Sequence, residues 1–278
     1  MNWLNVVIGP ASMAVGTLVL LVILAGFLWA TGKVEGYDPI NEMLARDNAA
    51  LGIRFALYTV AVVFALLGIF NRAQGDSGIA EFSLHALLAA LLIHLSRYLN
   101  DWLILYDFDN NREVVEEKNS AVAIVEGATY LASAFVIGGA FDDWESGLWL
   151  AIVWFLIGQL LLILLGLLYR VVARGTAKAL DGGNIAVGIS LGGFLLSGGV
   201  VCGAVISGPS QGWRHDLSIV TVYILAWLAL VLAAHVLTDS LVFRSSRLRD
   251  EVIEQRNIAA GLFKAVIFLS TTLAYIHG

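Results

Sequence analysis

The segment DNAALGI (Asp47–Ile53) opens a long apolar run, and its pattern occurs three more times in the chain. The other copies are KNSAVAI at 118–124, GNIAVGI at 183–189 and RNIAAGL at 256–262. In each copy an asparagine is followed by alanine two residues later and by glycine or alanine four residues later. A segment that recurs at the start of successive apolar runs predicts a chain built from related units.

Composition indicates the class of protein. Hydrophobic residues make up 59% of the chain, charged residues only 14%, and the mean hydropathy is +0.83. Soluble domains carry about 25% charged residues, so we expect an integral membrane protein surrounded by a lipid bilayer. The net charge of −6 says little about partners, because the placement of charges matters more than their sum in membrane proteins.

Eight apolar runs are long enough to cross a bilayer, which takes about 20 residues. We therefore predict an all-α protein with eight transmembrane helices. The predicted spans are Ser12–Thr31, Ala49–Phe70, Phe82–Tyr106, Ser120–Phe141, Leu148–Val172, Ile185–Ile206, Leu217–Phe243 and Ile258–Ile276.

Lysine and arginine predict the orientation of these spans. Eleven follow the odd-numbered spans, namely Lys33, Arg46, Arg112, Lys118, Arg170, Arg174, Lys178, Arg244, Arg247, Arg249 and Arg256. Only two, Arg72 and Arg214, follow the even-numbered spans. Because basic loops stay in the cytoplasm, we expect both termini of the chain to face outside.

The motif asparagines divide the chain into hairpins of two spans each. They are Asn48, Asn119, Asn184 and Asn257. An even number of spans per unit makes successive units enter the membrane in the same direction, so we predict parallel repeats. Asp101 and Asp239 each lie 18 residues before a motif asparagine. These matches predict two four-span halves, residues 1–141 and 142–278.

Each asparagine is predicted to cap the helix that follows, because its side-chain oxygen accepts a backbone N–H that would otherwise lack a partner. Small residues continue along one face of two spans. They are Gly188, Gly192, Gly199 and Gly203 in the sixth span, and Ala123, Gly127, Ala134 and Gly138 in the fourth. Such stripes are typical of close helix packing in membranes, and one arrangement has these two helices packed on each other. The alternatives are a ring of asparagines around a cytoplasmic vestibule and a glycine-lined pore.

The asparagine segments and the run GISLGGFLLSGGVVCGAVI (188–206) resemble the bacterial membrane proteins of the family called domain of unknown function 350. The resemblance covers nearly the whole chain, as two tandem copies of a four-span domain. It implies a multi-pass protein of the bacterial inner membrane and, for some members, a connection with envelope-stress gene sets. It brings no catalytic residues with it.

Ionisable side chains inside the predicted spans form the candidate site, because charges in a bilayer are costly and usually functional. The set is Arg54, Arg97, Asp101, Glu126, Asp239 and Lys264, together with His94 and His235. Counted at 1.5 Å per residue, most should share a layer about 10 Å deep on the cytoplasmic side. One interpretation is a balanced ion-pair network in which Glu126 faces Lys264. The other is an ion or proton pathway with Asp101, Glu126 and Asp239 as carriers.

The sequence has no phosphate-binding P-loop, no HExxH, no GxSxG and no cysteine–histidine cluster. We therefore expect no enzyme, no metal site and no cofactor. It also lacks the basic patch with interleaved aromatic residues that would predict nucleic-acid binding.

Two functions follow as predictions. The first is a channel or transporter for a small ion or polar solute that uses the polar layer. The second is a non-transporting scaffold or accessory subunit of an envelope-stress or assembly system. Its partner would be a second copy of the chain or another membrane protein.

Overall fold

A computed structural model describes residues 3–70, 79–106, 109–142, 147–241 and 247–278. Every element in these ranges is helical. In chain order they are α1 (Trp3–Glu35), α2 (Pro39–Leu44), α3 (Ala49–Phe70), α4 (Ile79–Leu103), a π-helical turn (Arg112–Glu116), α5 (Ser120–Ala140), α6 (Leu148–Val172), α7 (Thr176–Asp181), α8 (Ile185–Ile206), α9 (Trp213–Leu241), α10 (Leu248–Ile253) and α11 (Ile258–His277).

The described ranges contain eight long helices. Seven of them are apolar enough along their length to cross a membrane, and α4 is the one outside this group. Helices α3, α6 and α8 have the predicted bounds. The other long helices overlap their predicted spans with different bounds: α4 and α9 begin and end two to four residues earlier than predicted, and α1 contains the predicted first span, includes Pro10 and continues to Glu35. The carboxylate of Glu35, at the end of α1, contacts Arg97 of α4.

The core is a row of the four helices that follow the motif asparagines. Helices α3, α5, α8 and α11 pack side by side in that order, and α1, α4, α6 and α9 lie on their flanks. The two middle helices are the most enclosed. In the most apolar stretch of each helix, 78% is buried in α5 and 72% in α8, compared with 22% in α9.

Glycine allows the closest approach between α5 and α8. A Cβ atom added at Gly188 would lie 2.6 Å from the carbonyl oxygen of Ala121, and one at Gly203 would lie 2.3 Å from that of Phe135. Gly192 and Gly199 make similar close approaches between these two positions. Because the contacts run in the same order along both helices, the helices are parallel.

The small-residue stripe of α5 does not face that of α8. Gly127 lies against the side chain of Leu57, and Gly138 lies against Gly68, both in α3. Each stripe therefore faces the preceding helix of the row. Helices α5 and α8 therefore pack on each other as expected, but only through the α8 stripe, because repeats related by a translation point equivalent faces in the same direction.

The same backbone bend precedes every helix of the row. The residue just before each motif asparagine has a positive φ, with values of 49° at Asp47, 52° at Lys118, 69° at Gly183 and 54° at Arg256. Positive φ is uncommon for residues other than glycine. Here it connects each short helix, or the π-helical turn, to the following long helix.

Candidate functional site

A buried ion pair joins the first two helices of the row. Arg54 of α3 is 1% exposed, and it donates two hydrogen bonds to the Glu126 carboxylate of α5, at 2.6 Å from Nε and 2.8 Å from Nη2. Its other contacts are to Asn111 Oδ1 at 3.0 Å and to the carbonyl oxygen of Asn110 at 2.9 Å. This bidentate geometry is the strongest form of a charge-assisted pair, and it occupies both carboxylate oxygens of Glu126.

Arg97 of α4 extends this group. It contacts the carboxylate of Glu35, Asn111 Oδ1 at 3.2 Å, and Asp101 with 3.6 Å between Nε and Oδ2. Asn111 thus bridges the two arginines. We call Glu35, Arg54, Arg97, Asp101 and Glu126 the first-half cluster. Its five charges sum to −1 from two cations and three anions.

Glu35 and Asn111 were missed by the sequence analysis, because both lie outside the predicted spans. A cavity of about 390 Å³ reaches Arg97 and Asp101, and residues 109–111 form part of its wall. Tyr37 lies close to the cluster, and burial together with the Glu35 carboxylate raises the pKa of its hydroxyl above the ordinary value.

His94 does not join the ion pairs. Its ring packs edge-on against Phe27, with centroids 5.4 Å apart, and against Tyr98, at 5.1 Å. Within the described ranges, its Nδ1 has no hydrogen-bond partner. The geometry thus favours a packing role for this histidine.

The remaining predicted residues form a separate group in the second half. Lys264 of α11 is 5% exposed, and its Nζ lies 3.3 Å from the hydroxyl of Tyr169. That hydroxyl is also 2.7 Å from Ser190 Oγ. His235 and Asp239 of α9 lie 3.9 Å apart, and Asp239 accepts a hydrogen bond from the backbone N–H of Leu248 at 3.2 Å.

The predicted pairing of Glu126 with Lys264 was wrong. Both stand seven residues after a motif asparagine, and both point toward the preceding helix of the row. Glu126 therefore meets Arg54 on α3, whereas Lys264 meets Tyr169 and, through it, Ser190 on α8.

Lys264 lines a cavity of about 250 Å³ between α6, α9 and α11. Its walls are mostly apolar and aromatic, and His235 and Arg249 also line it; the apolar residues include Leu168, Val172, Phe194, Val231, Leu232 and Phe268. The ammonium stands 5.2 Å from the ring centre of Tyr169 and 5.8 Å from that of Phe268. Among the described residues, no carboxylate oxygen lies within 4.0 Å of it. A cation in such a place favours an anionic ligand.

The motif asparagines accept hydrogen bonds at the start of each helix. Each Oδ1 atom accepts from a backbone N–H two or three residues further along, at distances of 3.0–3.3 Å. Asn48 accepts from Leu51, Asn119 from Ala121 and Val122, Asn184 from Val187, and Asn257 from Ala260. These are the contacts that an N-cap residue makes.

The side-chain amides make a second connection that sequence reasoning missed. Asn48 Nδ2 donates to the carbonyl oxygens of Val114 and Val115, at 2.9 and 3.1 Å. Asn184 Nδ2 donates to those of Val252 and Ile253, also at 2.9 and 3.1 Å. Each pair of carbonyls belongs to the short segment before the next helix of the row. Asparagine suits these positions because it both accepts and donates, whereas aspartate could only cap.

Asn119 follows the same pattern, donating to the carbonyl oxygen of Leu180 at 2.8 Å. Asn257 stands at the end of the row, and its Nδ2 donates to Glu251 Oε2 at 3.1 Å. Among the described residues, no group of three histidine, cysteine, aspartate or glutamate side chains is arranged to hold a metal ion.

Comparison with known proteins agrees with the membrane character of these helices. The family model described as Domain of Unknown Function (DUF350) matches residues 2–141 and 143–277, as two copies in tandem. A relative from Aquifex aeolicus (strain VF5), named UPF0719 transmembrane protein, is 24% identical over 237 residues, covering 83% of this chain and 86% of the relative. No solved structure matches the chain.

Proposed function

This chain belongs to the DUF350 family and is a multi-span transmembrane protein, and from that premise we propose that it binds and carries an anionic amphiphile at Lys264. The amphiphile would have a carboxylate or phosphate head and an apolar body. The proposal narrows the predicted transport of a small ion or polar solute to one class of anion, and it moves the site from the polar layer as a whole to the second-half cavity.

The observation that carries the proposal is a buried cation without a buried counter-ion. In the first half, Arg54 shares two hydrogen bonds with Glu126. In the second half, Lys264 is also buried, at 5% exposed, and its ammonium contacts a phenol hydroxyl and two aromatic rings, while the other polar residues that line its cavity are His235 and Arg249. Removing an ion from water costs several kcal/mol unless a partner compensates it. A ligand anion in the cavity would supply that partner.

The walls of the cavity support an apolar body for the ligand. Val172 is 67% exposed and Leu232 is 59% exposed, so the rim is formed by side chains that would meet lipid. Arg249 of α10 also lines the cavity and adds a second cation toward the end of α9. An amphiphile that enters from the bilayer could place its head between these cations and its tail among the leucine, valine and phenylalanine side chains.

Binding can be tested with the purified protein in zwitterionic nanodiscs. A fluorescent long-chain fatty acid and phosphatidylglycerol would be titrated separately, to distinguish a free carboxylate from a lipid head. Lys264→Met should raise the Kd about 10- to 100-fold, because a hydrogen bond to a charged group contributes about 1.5–3 kcal/mol. Lys264→Arg should keep most of the affinity.

Lys33→Met, which removes an exposed lysine of α1, serves as the matched control and should leave the Kd unchanged. The melting temperature of Lys264→Met should not fall, since removing an uncompensated buried charge relieves a cost. Equal affinity in Lys264→Met, or no saturable binding of either probe, would refute the proposal.

We further propose the full topology of eight spans in four parallel hairpins, with both termini outside and the bacterial inner membrane as the location. The basic residues after odd-numbered spans support this orientation. In a Cys202→Ala background, Gln211→Cys on intact cells should react with an impermeant maleimide. Gln255→Cys should react only after permeabilisation. The reverse labelling pattern would overturn the orientation.

A proton pathway is a second candidate function, favoured by the cavity that reaches Asp101. Glu126 is a poor carrier, because both of its oxygens already bind Arg54. If Asp101 carries protons, Asp101→Asn should abolish proton flux into liposomes, while Asp109→Asn on the same cavity wall should not. Unchanged flux in Asp101→Asn would refute this pathway, and no flux in the unaltered protein would favour the scaffold function, in which the first-half cluster only holds the helices together.

A further inference from the structure

The contacts within the row of α3, α5, α8 and α11 repeat with a fixed register. The residue four after one motif asparagine lies against the residue two after the preceding one: Gly188 against Ala121, and Gly261 against Ala186. The next turns repeat the rule, with Gly127 against Leu57 and Gly192 against Ala128, which pair the eighth residue with the ninth. Each interface is therefore head-to-tail, joining one face of a helix to a different face of its neighbour.

Because each interface joins two different helix faces, the first and last helices of the row each leave one of these faces open. The open face of α3 is the kind that packs against the open face of α11 in the internal interfaces. On α3 the open face begins with Gly52 and Ala56, the fourth and eighth residues after Asn48. No described atom lies within 4 Å of a Cβ added at Gly52, and Ala56 is exposed. On α11 the corresponding face holds Ala259 and Val266, the second and ninth residues after Asn257. Both are exposed, Val266 to 55%.

The last asparagine provides an independent sign of an unfilled position. Asn48, Asn119 and Asn184 each send the side-chain amide to a carbonyl four or five residues before the next motif asparagine. Among the described residues no unit follows Asn257, and its exposed side-chain amide donates only to Glu251 of its own unit, a contact that Asn119 makes with Glu113 in addition to Leu180. By the same count, its acceptors would be the carbonyls of Met43 and Leu44 in α2 of another copy. Leu44 is 80% exposed.

We infer that copies of this chain associate head-to-tail, with α11 of one copy seated against α2 and α3 of the next. The occupant of each open face is a second copy, because the contact continues the interface already made three times within the chain. Such a heterologous contact closes into a ring or continues as a row.

The contact should be closest on the side of the motif asparagines. There, by the register of the internal interfaces, Gly52 meets Ala259 and Ala56 meets Val266. Further along, Leu67 of α3 occupies the position of Gly203 in α8, and Gly203 lies on the backbone of Phe135 at the α5–α8 interface. Leucine at this position is too bulky for an equally close approach. The two helices should therefore diverge toward their far ends.

Disulfide cross-linking in native membranes tests this contact. In a Cys202→Ala background, Gly52→Cys and Ala259→Cys would be placed on two differently tagged copies and expressed together. Oxidation should give a dimer that carries both tags, since the equivalent internal positions lie within disulfide reach. Val171→Cys, on the exposed end of α6, is the control partner for Ala259→Cys and should give at least about tenfold less product.

A blocking variant separates this contact from the fold of the monomer. Gly52→Trp should reduce cross-linking between two other cysteines of the contact, Ala56→Cys and Val266→Cys, by about tenfold or more. It should leave the melting temperature unchanged, because the space at Gly52 is open. Cross-linking of Gly52→Cys to itself in preference to Ala259→Cys, or equal product with Val171→Cys, would overturn the head-to-tail arrangement. Loss of ligand binding in Lys264→Met would not affect either result.

Discussion

The packing of α5 against α8 gives a quantitative prediction at Gly199. A Cβ atom added there would lie 2.4 Å from Ala132 Cα and 2.6 Å from its carbonyl oxygen. Carbon atoms in contact are about 3.5–4.0 Å apart, so Gly199→Ala must separate the helices locally by roughly 1 Å. Overpacking of this kind costs about 1–3 kcal/mol, and here the obstacle is backbone, which cannot change rotamer.

A matched control removes the effect of helix propensity. Alanine is favoured over glycine in a helix by about 0.8–1.0 kcal/mol, which would partly mask the steric cost. Gly26 of α1 is also within a long helix, and no described atom lies within 4 Å of a Cβ added there. The difference in unfolding free energy between Gly26→Ala and Gly199→Ala therefore isolates the overpacking, which we expect at about 1–3 kcal/mol.

The measurement is reversible unfolding in mixed micelles of dodecyl maltoside and dodecyl sulfate, followed by tryptophan fluorescence from the chain's eight tryptophans. The expected difference corresponds to about a 5- to 150-fold change in the unfolding equilibrium constant. If Gly199→Ala were as stable as Gly26→Ala, the close approach of α5 and α8 would be refuted.

Three further predictions concern the asparagine contacts, the buried ion pair and the single cysteine. Asn184→Ala should lower the unfolding free energy by about 2–4 kcal/mol, because it removes a helix cap and two amide hydrogen bonds. Asn257→Ala should lower it by about 0.5–2 kcal/mol. If unfolding in mixed micelles showed Asn257→Ala to be the less stable variant, the connection between units would be contradicted. Glu126→Gln should lower the unfolding free energy by about 3–5 kcal/mol, because it leaves the charge of Arg54 uncompensated. The double variant Arg54→Met with Glu126→Leu should recover most of this loss. A double variant as unstable as Glu126→Gln would argue against the ion pair. Cys202 is buried, so N-ethylmaleimide should modify it readily only after denaturation, and rapid modification of the folded protein would place it elsewhere.

Much of the helical architecture could be predicted from the sequence, because span length and apolar runs are local properties. The bounds of α3, α6 and α8 follow directly from where polar residues interrupt the runs. The end of α1 could not be predicted this way, since the helix continues past the apolar run to Glu35, whose carboxylate contacts Arg97, 62 residues away.

The site was only partly predictable for the same reason. The sequence indicated which ionisable residues lie in the apolar runs, but their pairing depends on which helices are neighbours. Glu126 and Lys264 occupy equivalent positions, and equivalence along the chain does not make two residues face each other. The amide contacts of Asn48 and Asn184 involve backbone carbonyls, which have no sequence signature.

The asparagine amides also set an order for biogenesis. The carbonyl acceptors of Asn48 lie 66 and 67 residues further along the chain, and those of Asn184 lie 68 and 69 residues further. A ribosome releases each donor well before its acceptors, so each helix of the row is synthesised before the segment that its asparagine amide binds. The contacts of the row should thus form from the amino terminus, one helix of the row at a time.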